Sequence, residues 1–172
     1  MYFQITLIAA LATISSALPT LSARQSAGVL AATTYDAISI SGGTAGNAEA
    51  EALAVFSALD TSNPAGIAQA DIKFLNSVNK AANKAEVGAF NPAIEAASGA
   101  QADALAAGKT KNKVLKLMAT KLQLEAKQAQ GEDVADKLAE ELKKLNNNIA
   151  TDVKNAGKPS TALKFDAAVS GN

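Results

Sequence analysis

The sequence predicts an all-α protein: an antiparallel helical bundle of about four main helices that ends in a long C-terminal helical hairpin. Three observations predict it. Val134, Leu138, Leu142, Leu145, Ile149 and Val153 step by four and three residues, which keeps one apolar stripe on the 3.6-residue period of a helix. Alanine-rich segments punctuated by Gly, Pro and Asn fill most of the chain, and those breakers mark turns between helices. Cysteine is absent, so the fold rests on close packing of helices around small side chains and not on disulfides.

Residues 1–17, MYFQITLIAALATISSA, read as a secretory signal peptide. An apolar run from Ile5 to Ile14 is followed by Ser15 and Ala17 at the minus-three and minus-one positions, although the start of the segment lacks the usual Lys or Arg. The run falls short of the roughly 20 residues a spanning helix needs, and no later stretch is apolar for long enough. A secreted, extracellular chain with no membrane span is therefore expected. Its mature end is Leu18, or Gln25 if Arg24, the only arginine, marks a second processing point.

Residues 18–43 are expected to be a flexible N-terminal segment, rich in Ser, Thr and Ala up to Thr34. From Tyr35 to Ser41 the pattern alternates weakly and then meets Gly42, Gly43, Thr44, Ala45, Gly46 and Asn47. A strand running through glycines into a helix is also how a dinucleotide fold opens, but that fold needs further strands and none follows. The simpler reading is a turn in which Thr44 or Asn47 caps a helix.

The helical domain is expected over residues 44–157. A first helix at 47–59 places Ala48, Ala52, Val55, Phe56 and Leu59 on one side, and Asp60 to Pro64 end it. A second at 65–86 turns Ile67, Asp71, Phe74, Leu75, Val78, Ala81, Ala82 and Ala85 inward, with Gly88 beyond its end. Asn91 and Pro92 have the types wanted at the cap and first position of a short helix at 93–97, which Ser98 and Gly99 interrupt. From Ala100 a long helix weakened at Gly108 is expected to run into the first arm of the hairpin.

That hairpin spans residues 109–156. Its first arm carries Val114, Leu115, Leu117, Met118, Leu122 and Leu124, a face broad enough to touch more than one neighbour. Gly131 makes the turn, Glu132 and Asp133 open the second arm where carboxylates favour a helix N-terminus, and Gly157, Lys158 and Pro159 end it. Folding about Gly131 predicts pairs of Lys121 with Glu141 and of Lys127 with Asp133 or Asp136. Residues 158–172 form a C-terminal tail with isolated Leu163, Phe165 and Val169.

Chemistry is narrowed most by what is missing. The chain has no His and no Cys, which removes Ser-His and Cys-His nucleophiles, the usual zinc sites and thiol redox. Gly108, Lys109 and Thr110 suggest a phosphate loop, but Asp103 stands where that motif needs its first glycine. The carboxylates at Glu49 and Glu51, at Glu132, Asp133 and Asp136, and at Glu140 and Glu141 match no calcium loop and read as a solvated face. No catalytic residue, cofactor site or metal site is expected, and an enzyme is not. Zero formal charge and a single arginine also argue against nucleic acid.

The remaining candidate is an interaction surface on the first arm. Lys109, Lys111, Lys113 and Lys116 are expected either to be a solvated face or to form an anion-binding stripe for wall polysaccharide or anionic lipid. Val114, Leu117, Met118 and Leu124 mark where a hydrophobic ligand or interface is to be sought.

Three segments, YDAISISGGTAGNA at 35–48, GKTKNKVLKL at 108–117 and QAQGEDVADK at 128–137, resemble a family of fungal small secreted proteins from filamentous ascomycetes. The likeness runs from about Tyr35 to the tail. It implies a secreted origin and a candidate effector with no assigned activity. A looser likeness, of plan only, is to the fungal hydrophobic surface-binding proteins. The expected function is thus a secreted non-enzymatic interaction protein with an unknown protein, cell-wall or hydrophobic-surface partner. The alternative is an extracellular carrier or surface-active protein that binds lipid.

Overall fold

The computed structural model describes residues 27–172. The signal peptide, both expected mature ends and Arg24 lie outside them. Among the described residues the chain is mostly helical, with a small strand content in four two-residue pieces.

The centre is α5, Gly99–Ala129, 31 residues long and so about 46 Å at the α-helical rise. Its apolar residues step around so much of the helix that Leu105, Val114, Leu115, Leu117, Met118, Leu122 and Leu124 are all buried. A helix apolar over that arc must be covered from several directions, and α2 (Ala48–Val55), α3 (Gln69–Ala85) and α6 (Ala135–Lys154) all pack on it. Gly108 does not break α5. A Cβ there would run into the carbonyl oxygen of Thr161, so the glycine lets the tail cross the helix closely, and Thr161 N–H donates to Ala104 O at 3.0 Å.

The expected inner faces of α2 and α3 are inner faces. Ala48, Ala52, Phe56 and Leu59 are buried, as are Ile67, Asp71, Phe74, Leu75, Val78, Ala81, Ala82 and Ala85. Between the two helices Asp60 accepts from the backbone N–H and hydroxyl of Ser62, and a short 3₁₀ turn at Pro64–Gly66 precedes α3.

The end of α3 differs from expectation. The helix runs straight into a π-helical turn, Glu86–Phe90, and on into α4, Asn91–Ala96. Gly88 therefore lies inside helical backbone, and Asn91 has helical dihedrals and caps nothing with its side chain. The reason lies in Pro92, whose ring clashes with the carbonyl four residues back in a regular helix. Here the N–H of Asn91 reaches five residues back to Glu86 O, and the wider turn admits the proline while Phe90 stays fully buried.

The terminal segments meet each other. Residues 27–43, expected to be flexible, and the tail from 158 onward clasp each other across the helices. β1 (Thr33–Thr34) pairs antiparallel with β4 (Ala168–Val169), and β2 (Gly43–Thr44) with β3 (Pro159–Ser160). Between β1 and β2 a single turn, α1 (Tyr35–Ile38), inserts Tyr35 into the core at 0% exposure. The Tyr35 ring meets Phe165 of the tail edge-on, with centroids 6.1 Å apart. Its hydroxyl donates to Asn112 Oδ1 at 2.7 Å, and Asn112 Nδ2 donates to Ala82 O at 2.9 Å, which joins the terminal clasp to α5 and α3. Both terminal segments are thus tied to the helices.

Candidate functional site

A polar cleft of about 420 Å³ opens where α3, α5 and α6 meet. Each helix contributes residues at helical spacing, which places them on one side of it. Asn79, Asn83 and Glu86 descend from α3 into the π turn, Lys113, Lys116 and Leu117 come from α5, and Glu141, Lys144 and Asn148 from α6. The π turn begins at Glu86, and such turns are found often at functional sites.

Glu86 is the hub. One carboxylate oxygen lies 2.7 Å from Lys116 Nζ and the other 3.3 Å from Lys113 Nζ. Burial pushes its pKa up, yet the hydrogen bond and charge of Lys116 and then Lys113 outweigh that, and the net shift is downward. Lys116 Nζ also donates to Asn83 Oδ1 at 3.2 Å. Asn79 Nδ2 donates to Thr120 Oγ1 at 2.7 Å, and Asn148 Nδ2 to Lys144 O at 2.8 Å. On the α6 wall Lys144 pairs with Glu140 at 2.8 Å and Glu141 at 2.9 Å. Those two contacts hold the Lys144 pKa up and that of Glu140 down.

The structure separates the candidate surface residues into four groups. Lys113 and Lys116 line the cleft. Lys111 is buried at 1% exposure; its Nζ pairs with Glu51 at 2.8 Å and donates to Gly42 O and Thr44 O at 2.8 and 3.1 Å. All three of its protons are thereby used, so Lys111 fastens the glycine turn to α5 and does not belong to an exposed stripe. Lys109 is half-buried and does not line the cleft. Val114, Leu117, Met118 and Leu124 are 0, 5, 2 and 3% exposed, so the broad apolar face packs inside the protein, and only Leu117 reaches the cleft floor.

The expected cross-arm ion pairs are replaced by local ones. Lys121 pairs with Glu125 on its own helix, and Lys127 with Glu132 just past it. Neighbours one turn apart need little side-chain ordering to meet, which favours them over partners on the other arm.

A second groove, of about 370 Å³, runs between the N-terminal half of α5 and the C-terminal end of α6, lined in part by Ala104, Ala107, Asp103 and Lys158. Nearby, Asp152 of α6 is buried and accepts from the N–H groups of Gly46 and Ala48, both at 2.9 Å. It supplies from a distance the capping oxygen that the side chain of Asn47 does not provide.

Sequence reasoning found Lys113, Lys116 and Leu117 and missed Asn79, Asn83, Glu86, Glu141, Lys144 and Asn148. The signal was present as polar residues stepping by four and three beside the apolar stripes of α3 and α6. What was missing was which stripes face each other. Among the described residues no cluster of three acidic, Cys or His side chains is arranged to hold a metal ion, and no helix is long and apolar enough to cross a membrane.

No curated protein and no solved structure matches this chain. One family model does, over residues 30–164, a span that takes in the central helices, the cleft, the glycine turn and most of the terminal clasp. The chain therefore belongs to the family described as Domain of unknown function (DUF8454).

Proposed function

We propose that this chain is a secreted, non-enzymatic interaction protein, of the candidate-effector or cell-surface kind found among fungal small secreted proteins, and that it meets its partner through the polar cleft. The observation that carries the reading is the state of Glu86. A carboxyl that acts as a general acid needs its pKa raised, whereas Glu86 is held ionised by Lys113 and Lys116. With no His or Cys in the chain and its central carboxylate engaged by two lysines, the cleft is better equipped for recognition than for acid catalysis. The sequence of residues 1–17 supports export.

We read the fold as an antiparallel bundle with α5 and α6 as its hairpin. In support, Ala106 and Thr110 of α5 share a groove with Thr151 and Asn155 of α6, while Lys113 and Leu117 share the cleft with Glu141 and Lys144. That order reverses the direction of the two helices. The carrier reading rests on less, because its four apolar residues are core.

The test has two arms. The full-length chain is expressed in a filamentous fungus and the N-terminus of protein in the medium is sequenced; a start at Leu18 or Gln25 is expected, and retention in the cell overturns the secreted reading. The purified protein is then co-sedimented with fungal wall, plant wall and hydrophobic particles, beside a Lys116→Ala, Asn83→Ala variant. Wall binding weakened in the variant supports the cleft. Binding to hydrophobic particles alone, equal in both proteins, replaces it with the carrier.

A further inference from the structure

We infer that the cleft takes a neutral, polyhydroxylated ligand, an uncharged oligosaccharide, and not an anion. The inference rests on the proposed role of the cleft as the contact site and deepens it.

Three lysines in a cleft suggest an anion site, but three carboxylates already balance them. Lys113 and Lys116 share Glu86, and Lys144 is held between Glu140 and Glu141. An incoming carboxylate or phosphate would have to displace these glutamates or sit beside them. Displacement exchanges one ion pair for another, and sitting beside them adds like-charge repulsion. A neutral ligand meets neither cost.

The amides supply the positive part of the case. Among the described residues, each cleft asparagine uses one end of its side chain internally. Asn79 and Asn148 donate through Nδ2, which turns over their carbonyl oxygens as acceptors, and Asn83 accepts at Oδ1, which leaves its Nδ2 as a donor. Two acceptors and a donor on the α3 and α6 walls of one cleft match hydroxyl groups, which each donate once and accept twice. The internal bonds also fix the orientation of the amides, so less ordering is needed on binding. Leu117 gives the floor an apolar spot against which a C–H face can lie. No aromatic ring lines the cleft to stack on a sugar, so recognition falls on hydrogen bonds. The affinity for a short oligomer is then modest, with Kd on the order of 1 mM, and a polymer gains by presenting many copies.

The experiment titrates the full mature chain with neutral oligosaccharides derived from chitin and β-glucan, and with acidic oligogalacturonides, each at low and high salt, following amide chemical shifts. A neutral oligomer is expected to perturb cleft residues, with an affinity unchanged by salt. Asn83→Ala and Asn148→Ala are each expected to weaken it about fivefold, as loss of one hydrogen bond does, and Asn146→Ala on the exposed side of α6 to leave it unchanged. Binding confined to the acidic oligomers and suppressed by salt overturns the inference, as does no binding by any neutral oligomer. The ligand class and the cleft fail separately. If no oligosaccharide binds but the double variant Lys116→Ala, Asn83→Ala still loses wall co-sedimentation, the cleft stands and its ligand class is wrong. If that variant sediments as the natural chain does, the cleft itself is wrong.

Discussion

Two helices, α3 and α6, lie on the same central helix, and they are held very differently. On α3 the apolar side is sealed: Phe74, Leu75, Val78, Ala82 and Ala85 are at most 3% exposed. On α6 the cleaner apolar stripe leaves only Leu145 buried; Leu138, Leu142 and Ile149 are half-buried and Val153 is 56% exposed. The difference lies in the neighbours. α3 is covered by α5, by α1 and by β4 of the tail, whereas α6 has α5 and a short contact with α2. Periodicity tells which side of a helix faces the protein, and the number of neighbours decides how much of that side is sealed.

Cutting the same side chain from both helices separates them most. Leu75→Ala is expected to cost about 3 kcal/mol, as cavities in a sealed core do, and Leu142→Ala about 1 kcal/mol, since part of its surface already meets water. Urea denaturation of both variants measures the difference. Equal losses would mean that α6 is held as firmly as α3.

Next in size is the tie that compensates α6 for its few neighbours. Asp152→Ala removes the acceptor of the Gly46 and Ala48 N–H groups and leaves two donors unpaired near the first turn of α2, an expected cost of about 2 kcal/mol. Native-state hydrogen exchange then separates local from global effects. Faster exchange in α6 with α3 unchanged is expected, because weakly covered elements open on their own. Equal acceleration in both helices would show that they open only together.

The same contrast marks what was legible in the sequence. Both apolar stripes were, because a 3.6-residue period survives any arrangement of neighbours. The inner face of α3 was legible apart from Ile72, which is buried too; Asp71 was placed on it, although nothing foretold that Asp71 holds the N–H groups of Val29 and Leu30. The terminal clasp was not legible, because two-residue strands carry no period and their partners lie more than a hundred residues away. Nor was the burial of Lys111. A lysine goes inside only when partners surround its ammonium, and Glu51, Gly42 and Thr44 come from elsewhere in the chain. Only the α5 wall of the cleft was visible, as Lys113, Lys116 and Leu117; the asparagines and Glu86 acquire meaning only when three helices meet.

Where α6 leaves α5 uncovered, the tail takes over, and Gly108 tests that division. In an exposed helix Gly→Ala adds roughly 1 kcal/mol of stability. At Gly108 the new methyl meets the Thr161 carbonyl and the Phe90 ring, so Gly108→Ala is expected to lose about 1 kcal/mol and to release the tail to proteolysis. A stabilised, equally resistant variant would mean that the tail covers α5 only loosely.

The smallest effect belongs to the cleft, where α3 and α6 come together over α5. Glu86 titrates below its ordinary value of 4.5 when folded, because Lys116 and Lys113 outweigh its burial. A carboxyl with a depressed folded pKa binds fewer protons in the folded chain than in the unfolded one. Its contribution is therefore present above about pH 4.5 and is lost as pH falls through the folded value. The pair is partly exposed, so that contribution is expected to be under about 1 kcal/mol. Glu86→Gln is expected to lower stability slightly at pH 7 and to converge with the natural chain in acid, where both carry a neutral group facing the two lysines. Stability measured from pH 7 down to pH 3 checks this. Parallel curves for the two proteins would mean that Glu86 is not held by its lysines, and the comparison of the helices would then lose the one ionic hub that links α3 to the centre beside α6.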